Sequence, residues 1–507
     1  MKEKIVESYS IQLGKSPIEI NIVRKPELYV LEYNAGLPEF GIGTQALLKK
    51  LKHELIAGIG IALEKIADPR FLEETKSKLI ERAEKMISKE FPGMNVSEKS
   101  MILSFLVNEM MGLGSIEILL NDANLEEIVI NHSHEPIWVY HKKHGWLKTN
   151  ILIQPEEEIE NYANIIARRI GKQITVLSPL LDAHLLSGDR ANATLFPISG
   201  KGNTITIRRF RRDPWTVLDL IQNGTLTPDV VALLWEAFEY ELNVLFSGGT
   251  ASGKTTILGA CLPFIQPNHR VLSIEDTREL ILPDFMHWVP MTTREPNSEG
   301  KGAVEMIDLL VNSLRMRPDR IIVGEVRRKR EAEVMFEAMH TGHAVYTTVH
   351  ANTADETITR LTNPPIGVPI SLLEAVNLNV VMFRNRRLGA RRVLQVAEFI
   401  PEKRAATEQG LKTNTLFRWK PVKDEVDKNN ESIRFYDELG LHTGLTKAEI
   451  DQEMNEKQKV LNWMIQQKVT GVNQVGRIIA SYYSDKSQIV EMASQNKKFE
   501  FEDKASV

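Results

Sequence analysis

Cysteine is nearly absent: Cys261 is the single one in 507 residues. No intramolecular disulfide, CxxC pair or cysteine zinc site can form, and the usage fits a reducing compartment. Long apolar runs are missing too. No segment approaches the ~18 consecutive apolar residues that cross a bilayer. The longest, Leu55 to Leu63, is bracketed by Lys52 and Lys65 and reads as part of an amphipathic helix, packed in its own bundle in preference to a membrane surface. The opening MKEKIVESYS has no apolar core of a secretion signal, so the chain is expected to stay in the cytoplasm. Aromatic residues make up only 7% and the formal net charge is −4, which supplies neither global attraction for nucleic acid nor a stock of stacking rings. There is no internal repeat or low-complexity segment.

What is present is the composition of a soluble folded protein, 42% hydrophobic and 26% charged, in a chain longer than one core organises. Residues 1–100 are expected to form a helical N-terminal unit, because Leu48, Leu51, Leu55 and Ile59 recur at helical spacing. Residues 101–213 are expected to form an α+β domain. Its signals are the β-rich runs IVIN, PIWVYH and Thr204 to Phe210, and a helix from Pro155 to Ile170 that opens on three glutamates. Over 214–400 the pattern becomes strand, loop, helix, repeated through NVLFS, RVLSIE, RIIVGEV and AVYTTVH. That grammar predicts an α/β domain with a mostly parallel, doubly wound sheet and ligands at the carboxyl ends of its strands. Residues 401–507 are expected to be a C-terminal extension, loop-rich from Glu402 to Glu431 and then helical.

The strongest local signal is Gly248, Gly249, Thr250, Ala251, Ser252, Gly253, Lys254, Thr255, which satisfies GxxxxGK[ST] between a strand and a helix. In such a loop the backbone N–H groups face phosphates, the lysine reaches the β/γ oxygens and the hydroxyl of Thr255 is offered to Mg²⁺. A plain glycine turn requires neither that lysine nor that threonine. Two neighbouring strands end in acids, Glu275, Asp276 and Glu279 after one and Glu325 after the other. Hydrolysis needs one carboxylate to position water and another beside the metal, so two acidic strand ends can divide the work. A zinc reading of His340, His343 and His350 is weak, since no cysteine assists and a strand separates the last from the others.

Taken in order, GGTASGKTT (Gly248 to Thr256), IEDTREL, IIVGEVR and TGHAVYTTVHANTADETITRL resemble the Walker A, Asp box, Walker B and His box of the secretion-superfamily ATPases. That family drives type II secretion, type IV pili, conjugation and the archaeal swimming filament. The resemblance runs from roughly Arg190 to Leu361. The TASGKT variant and the lack of a tetracysteine module make the chain most similar to the archaeal branch, which includes the archaellum motor ATPase and pilus-assembly ATPases. The resemblance implies a RecA-like P-loop domain and a homo-hexamer that uses ATP and Mg²⁺. It further implies a cytoplasmic motor held at the inner face of the cell membrane by an integral-membrane platform protein. It also implies residue roles: Lys254, Thr255 and Thr256 on phosphate and metal, Glu279 activating water, Glu325 supporting the metal's water shell, and His343 and His350 sensing the γ-phosphate. Arg190 and Arg208 match the family arginines that face a nucleotide across a junction. Arg328 departs from the family, where many relatives carry an acid.

The basic cluster Arg384, Arg386, Arg387, Arg391 and Arg392 around Gly389 reads as a hairpin tip, solvated by default, with anionic lipid headgroups as the sharper alternative. A nucleic-acid translocase or helicase shares the strand-loop-helix core and is the competing function, but single-strand tracking wants a positive channel with stacking aromatics, whereas aromatics are only 7% and the chain is slightly acidic. A nucleotide-binding scaffold without turnover is disfavoured by the paired strand-end glutamates.

Overall fold

A computed structural model describes residues 3–13, 16–36, 48, 50–52, 54, 55, 69–91, 93, 95–185, 188–209, 214–296, 300–385, 387, 389–403 and 409–501. The chain divides into an N-terminal unit, Met1–Arg211 with Asn297–Lys301, and a C-terminal unit, Arg212–Pro296 with Gly302–Val507.

The N-terminal unit is built on a nine-stranded sheet. Its strands are β1 (Lys4–Leu13), β2 (Ser16–Arg24), β3 (Glu32–Ala35), β4 (Leu125–Ile130), β5 (Trp138–His141), β6 (Gly145–Thr149), β7 (Leu180–His184), β8 (Arg190–Thr194) and β9 (Thr204–Arg208). They run in the order β1-β2-β3-β6-β5-β4-β9-β8-β7, antiparallel except for the β3–β6 pair. The expected helical unit over 1–100 is therefore corrected at its start, where three strands belong to this sheet. The cause is a period of two: Ile18, Ile20 and Ile22 are buried while Glu19 and Asn21 alternate with them. Helices Pro69–Glu90 and Val96–Met111 follow, and Leu48, Leu51 and Leu55 pack with Leu79, Ala83 and Ile87 in a small apolar cluster. Ile59 lies outside the described residues. The helix expected from Pro155 forms over Glu156–Arg169, with Glu156, Glu157 and Glu158 at its positive end and Ile159, Tyr162, Ala163 and Ile166 forming the buried stripe.

The C-terminal unit carries a second nine-stranded sheet. Its strands are β10 (Val244–Gly248), β11 (Val271–Glu275), β12 (Trp288–Thr292), β13 (Arg320–Val323), β14 (Ala344–Val349), β15 (Leu378–Asn385), β16 (Ala390–Lys403), β17 (Gln409–Lys420) and β18 (Glu425–Lys428). The order β12-β11-β13-β14-β10-β15 is parallel throughout, and β16, β17 and β18 extend it antiparallel. Every residue of β10, β11, β13 and β14 is buried, as helix-covered parallel strands require. This is the mostly parallel α/β fold expected of the ATPase core. The loop expected over Glu402–Glu431 is corrected to strands: Asn414, Leu416 and Trp419 turn inward while Lys412, Arg418 and Lys420 face solvent, so its polarity is that of an outer sheet edge.

Helices Lys447–Gln466, Gly471–Ser484 and Lys486–Ser494 close the unit. Lys457, fully buried, places its ammonium 2.8 Å from Glu236 and 2.5 Å from Glu239 on the helix Pro228–Glu239 that precedes β10. Burial raises the Glu236 carboxyl to about 7 against the opposing pull of Lys457. Removing one partner of such a cluster strands the others without compensation. Lys457→Ala is expected to cost about 3–5 kcal/mol, read in the unfolding transition of the C-terminal unit; an unchanged transition would show that the triad is not a structural clamp.

Candidate active site

The phosphate loop leaves β10 at its centre-sheet position between β14 and β15. Gly248 holds φ 151°, and a Cβ there would meet the Met382 carbonyl and Ser252 Oγ at 2.5 Å, so only glycine fits. The helix Lys254–Cys261 starts directly after the loop, with Gly253 in the left-handed region as its N-cap. The Lys254 ammonium donates to the carbonyls of Gly248 at 3.0 Å and Gly249 at 3.3 Å, spanning the inside of the turn. Burial pulls Lys254 below the usual lysine range; Glu325 and Glu279 push it back up and Arg327 lowers it further. Lys254 thus sits within the field of both acids.

Topology explains that convergence. β11 and β13 are neighbours in register, Ile274 opposite Val323, and the Gly324 N–H donates to the Ile274 carbonyl at 2.8 Å. The two acidic segments therefore leave the sheet side by side on the same carboxyl edge as the loop, the one after β13 two strands from β10 and the one after β11 three. Arg327 joins them: it donates to Glu325 Oε2 at 2.7 and 3.1 Å and to Asp276 Oδ2 at 2.7 Å. Arg327 had not been singled out from the sequence. Its signal was the spacing Glu325-x-Arg327, which brings two side chains to the same side of an extended segment. Glu275, 2% exposed, accepts the backbone N–H groups of Glu279 at 2.9 Å and Leu280 at 3.1 Å on Oε1, which fixes the turn that presents Glu279 to solvent. Burial raises the Glu275 carboxyl to about 7.

His350, just past β14, places Nε2 3.1 Å from Thr250 Oγ1 of the phosphate loop. His343 does not join it. It precedes β14, hydrogen-bonds the helix-terminal Ala338 carbonyl through its backbone N–H, and lines a cleft with Asn243 and Asn377 at the amino ends of the strands. Seven residue steps of extended chain separate the two histidines, about 23 Å, so the γ-phosphate role expected for His343 is withdrawn. Beneath the loop, Ser247 on β10, Asn379 on β15 and Thr357 on the helix Ala354–Thr362 form a buried hydroxyl-amide network, with Thr357 donating to Ser247 at 3.0 Å and Asn379 to Thr357 at 3.0 Å. Nothing in local sequence joins residues over a hundred positions apart.

Arg190 and Arg208 belong to the N-terminal unit. They are directly opposed on β8 and β9, so they share a face, and Arg190 makes a two-pronged pair with Asp182 at 3.0 and 2.5 Å. The basic hairpin forms between β15 and β16 with Arg384 opposite Arg391; Arg386 lies outside the described residues. Arg391 donates to the Ala251 carbonyl at 3.1 Å, and Arg392 pairs with Asp424 at 2.7 Å.

Residues 188–414 match the family model "Type II/IV secretion system protein". A Methanocaldococcus jannaschii protein of uncharacterised function is 36% identical over 397 residues, covering 76% of this chain and 70% of its own. The chain belongs to the type II/IV secretion system protein family. A second M. jannaschii protein is 33% identical over 248 residues, 48% of this chain and 89% of its own. The type IV secretion system protein PtlH of Bordetella pertussis is 29% identical over 306 residues, 54% of this chain and 89% of its own.

For this family member the raised Glu275 carboxyl carries a stability consequence. Its ordinary value is 4.5 and its folded value about 7, so the folded unit retains a proton that the unfolded chain releases. The contribution is complete below pH 4.5 and is lost as the pH rises through about 7. Glu275→Gln keeps the Oε1 acceptor without the charge. Relative to wild type it is expected to gain on the order of 2 kcal/mol between pH 5.5 and 8.5 in unfolding measurements; parallel pH profiles would contradict the buried, protonated carboxyl.

Proposed function

We propose that the chain is a Mg²⁺-dependent ATPase that works as a homo-hexameric cytoplasmic motor at the inner face of the membrane, driving assembly or rotation of a pilus-like filament, or secretion, through an integral-membrane platform protein. The observation that carries this reading is the position of Lys254: seated between two loop carbonyls while lying in the field of Glu325 and Glu279. A lysine that only closed a turn would have no need of two acids from neighbouring strand ends.

The loop suits a phosphate chain. It is cradled so tightly at Gly248 that a Cβ cannot enter, it opens the N-terminus of a helix, and its one ammonium faces inward. The Thr255 hydroxyl and Glu325 carboxylate are oxygen donors of the kind Mg²⁺ accepts; bound with the nucleotide, the ion neutralises charge on the phosphates. Around them each residue of this chain has a separate task. Lys254 compensates negative charge on the terminal phosphoryl oxygens. Glu279, presented to solvent by the Glu275-braced turn, orients a water and takes its proton. Glu325 is held in place by Arg327. His350, touching Thr250, couples the strand end after β14 to the loop, which gives the His box a route by which to sense the terminal phosphate. Arg190 and Arg208 supply the cations that stabilise the transferring group within the ring.

The family membership supports the secretion-motor class, and the TASGKT loop supports the archaeal filament branch. Anionic lipid at the exposed hairpin arginines is part of the proposed membrane setting; nucleic acid is not. Purified chain with MgATP tests the chemistry by phosphate release. Lys254→Ala is expected to abolish nucleotide binding or turnover, and Glu279→Gln to keep binding while lowering turnover about 100-fold. Equal turnover of Glu279→Gln and wild type would remove Glu279 from the mechanism.

A further inference from the structure

The phosphate loop contains one non-glycine residue in the left-handed region, Ala251 at φ 58°. An L-residue there pays a steric cost from its Cβ, and the conformation persists only where surrounding contacts over-determine it. The contact in question comes from far along the chain. Arg391, near the start of β16, donates Nε to the Ala251 carbonyl at 3.1 Å. Its stem passes the second left-handed position of the loop: a Cβ built on Gly253, at φ 100°, would stand 3.5 Å from Arg391 Cδ.

The neighbouring residue anchors this arm. Arg392 forms a two-pronged pair with Asp424, at 2.8 and 2.7 Å, and donates to the Asn223 carbonyl at 3.3 Å. Asp424 is held in turn by the Trp419 indole at 2.9 Å. Adjacent strand residues point to opposite sides, so one side of the hairpin is tied down through Arg392 while the other reaches the loop through Arg391.

We infer that Arg391 is a positioning residue for nucleotide binding: by holding the Ala251 carbonyl it keeps the phosphate loop in its left-handed turn, so that the loop's N–H groups are arranged for phosphate before ATP arrives. The inference rests on the phosphate-loop reading given above. Its chemistry is a charge-assisted hydrogen bond from guanidinium to carbonyl, which depends on the reach and direction of Nε–H and not on positive charge alone.

A double-mutant cycle tests it, because glycine adopts φ near 58° without the penalty. In full-length protein, Arg391→Ala is expected to weaken MgATP affinity and raise KM about tenfold, with kcat at saturating ATP within about twofold of wild type. Arg391→Lys is expected to behave like Arg391→Ala. In an Ala251→Gly background the same Arg391→Ala change is expected to cost less than about threefold. A comparable loss in both backgrounds would mean that Arg391 acts on the nucleotide or on the fold directly, and wild-type affinity in Arg391→Lys would mean that charge alone suffices; either overturns the assignment. Failure of wild type itself to bind MgATP would instead remove the phosphate-loop reading on which the assignment stands.

Discussion

The closeness of backbone to backbone at Gly248 is the constraint on which the site depends. With the Met382 carbonyl where it is, no side chain can stand at that position, and only then can the loop turn back tightly enough for Lys254 to lie across its inner carbonyls. The lysine in turn needs compensation, because burial disfavours its charge. Glu325 and Glu279 provide it from the adjacent strand ends. Fold and chemistry are therefore one arrangement: a fully covered parallel sheet delivers its polar residues at one edge, and the loop's geometry decides which of them matter.

The acids are themselves held. Arg327 ties the segment after β13 to the segment after β11, and Glu275 braces the backbone of the turn bearing Glu279. Below the loop, the Ser247-Asn379-Thr357 network connects β10 to β15 and to the helix Ala354–Thr362 at the end of the His box. Fully satisfied networks of this kind are rigid and specific, because any broken member leaves a buried polar group without a partner. Above it, Arg391 reaches the loop from the hairpin. The phosphate loop is thus supported from its own strand, its neighbours and a segment 140 residues away.

Much of this was legible in residue order. The β10, β11, β13 and β14 runs are mostly apolar stretches that lead into the candidate site residues, so both their parallel pairing and the edge carrying the site followed from pattern. Three features did not follow. The alternation of isoleucine with polar residues along β2 was present, but it was overshadowed by the strong helical spacing downstream. The outer strands β17 and β18 face solvent on one side, so their composition resembles loop. The strand between His343 and His350 was legible, yet the γ-phosphate role that the resemblance implied for both did not follow from it, because β14 sends them to opposite edges. Long-range partners such as Arg391 with Ala251, or Ser247 with Asn379, have no local signature at all; only the sheet order brings them together.

Hydrogen exchange with and without MgATP addresses the central claim directly, since it reports on the loop itself and not on turnover. The account predicts slowed exchange concentrated in the amides of residues 248–256 and in the segments following β11 and β13, with the cleft around His343 unchanged. Unaltered loop amides at saturating MgATP, or protection confined to the amino ends of the strands, would contradict it.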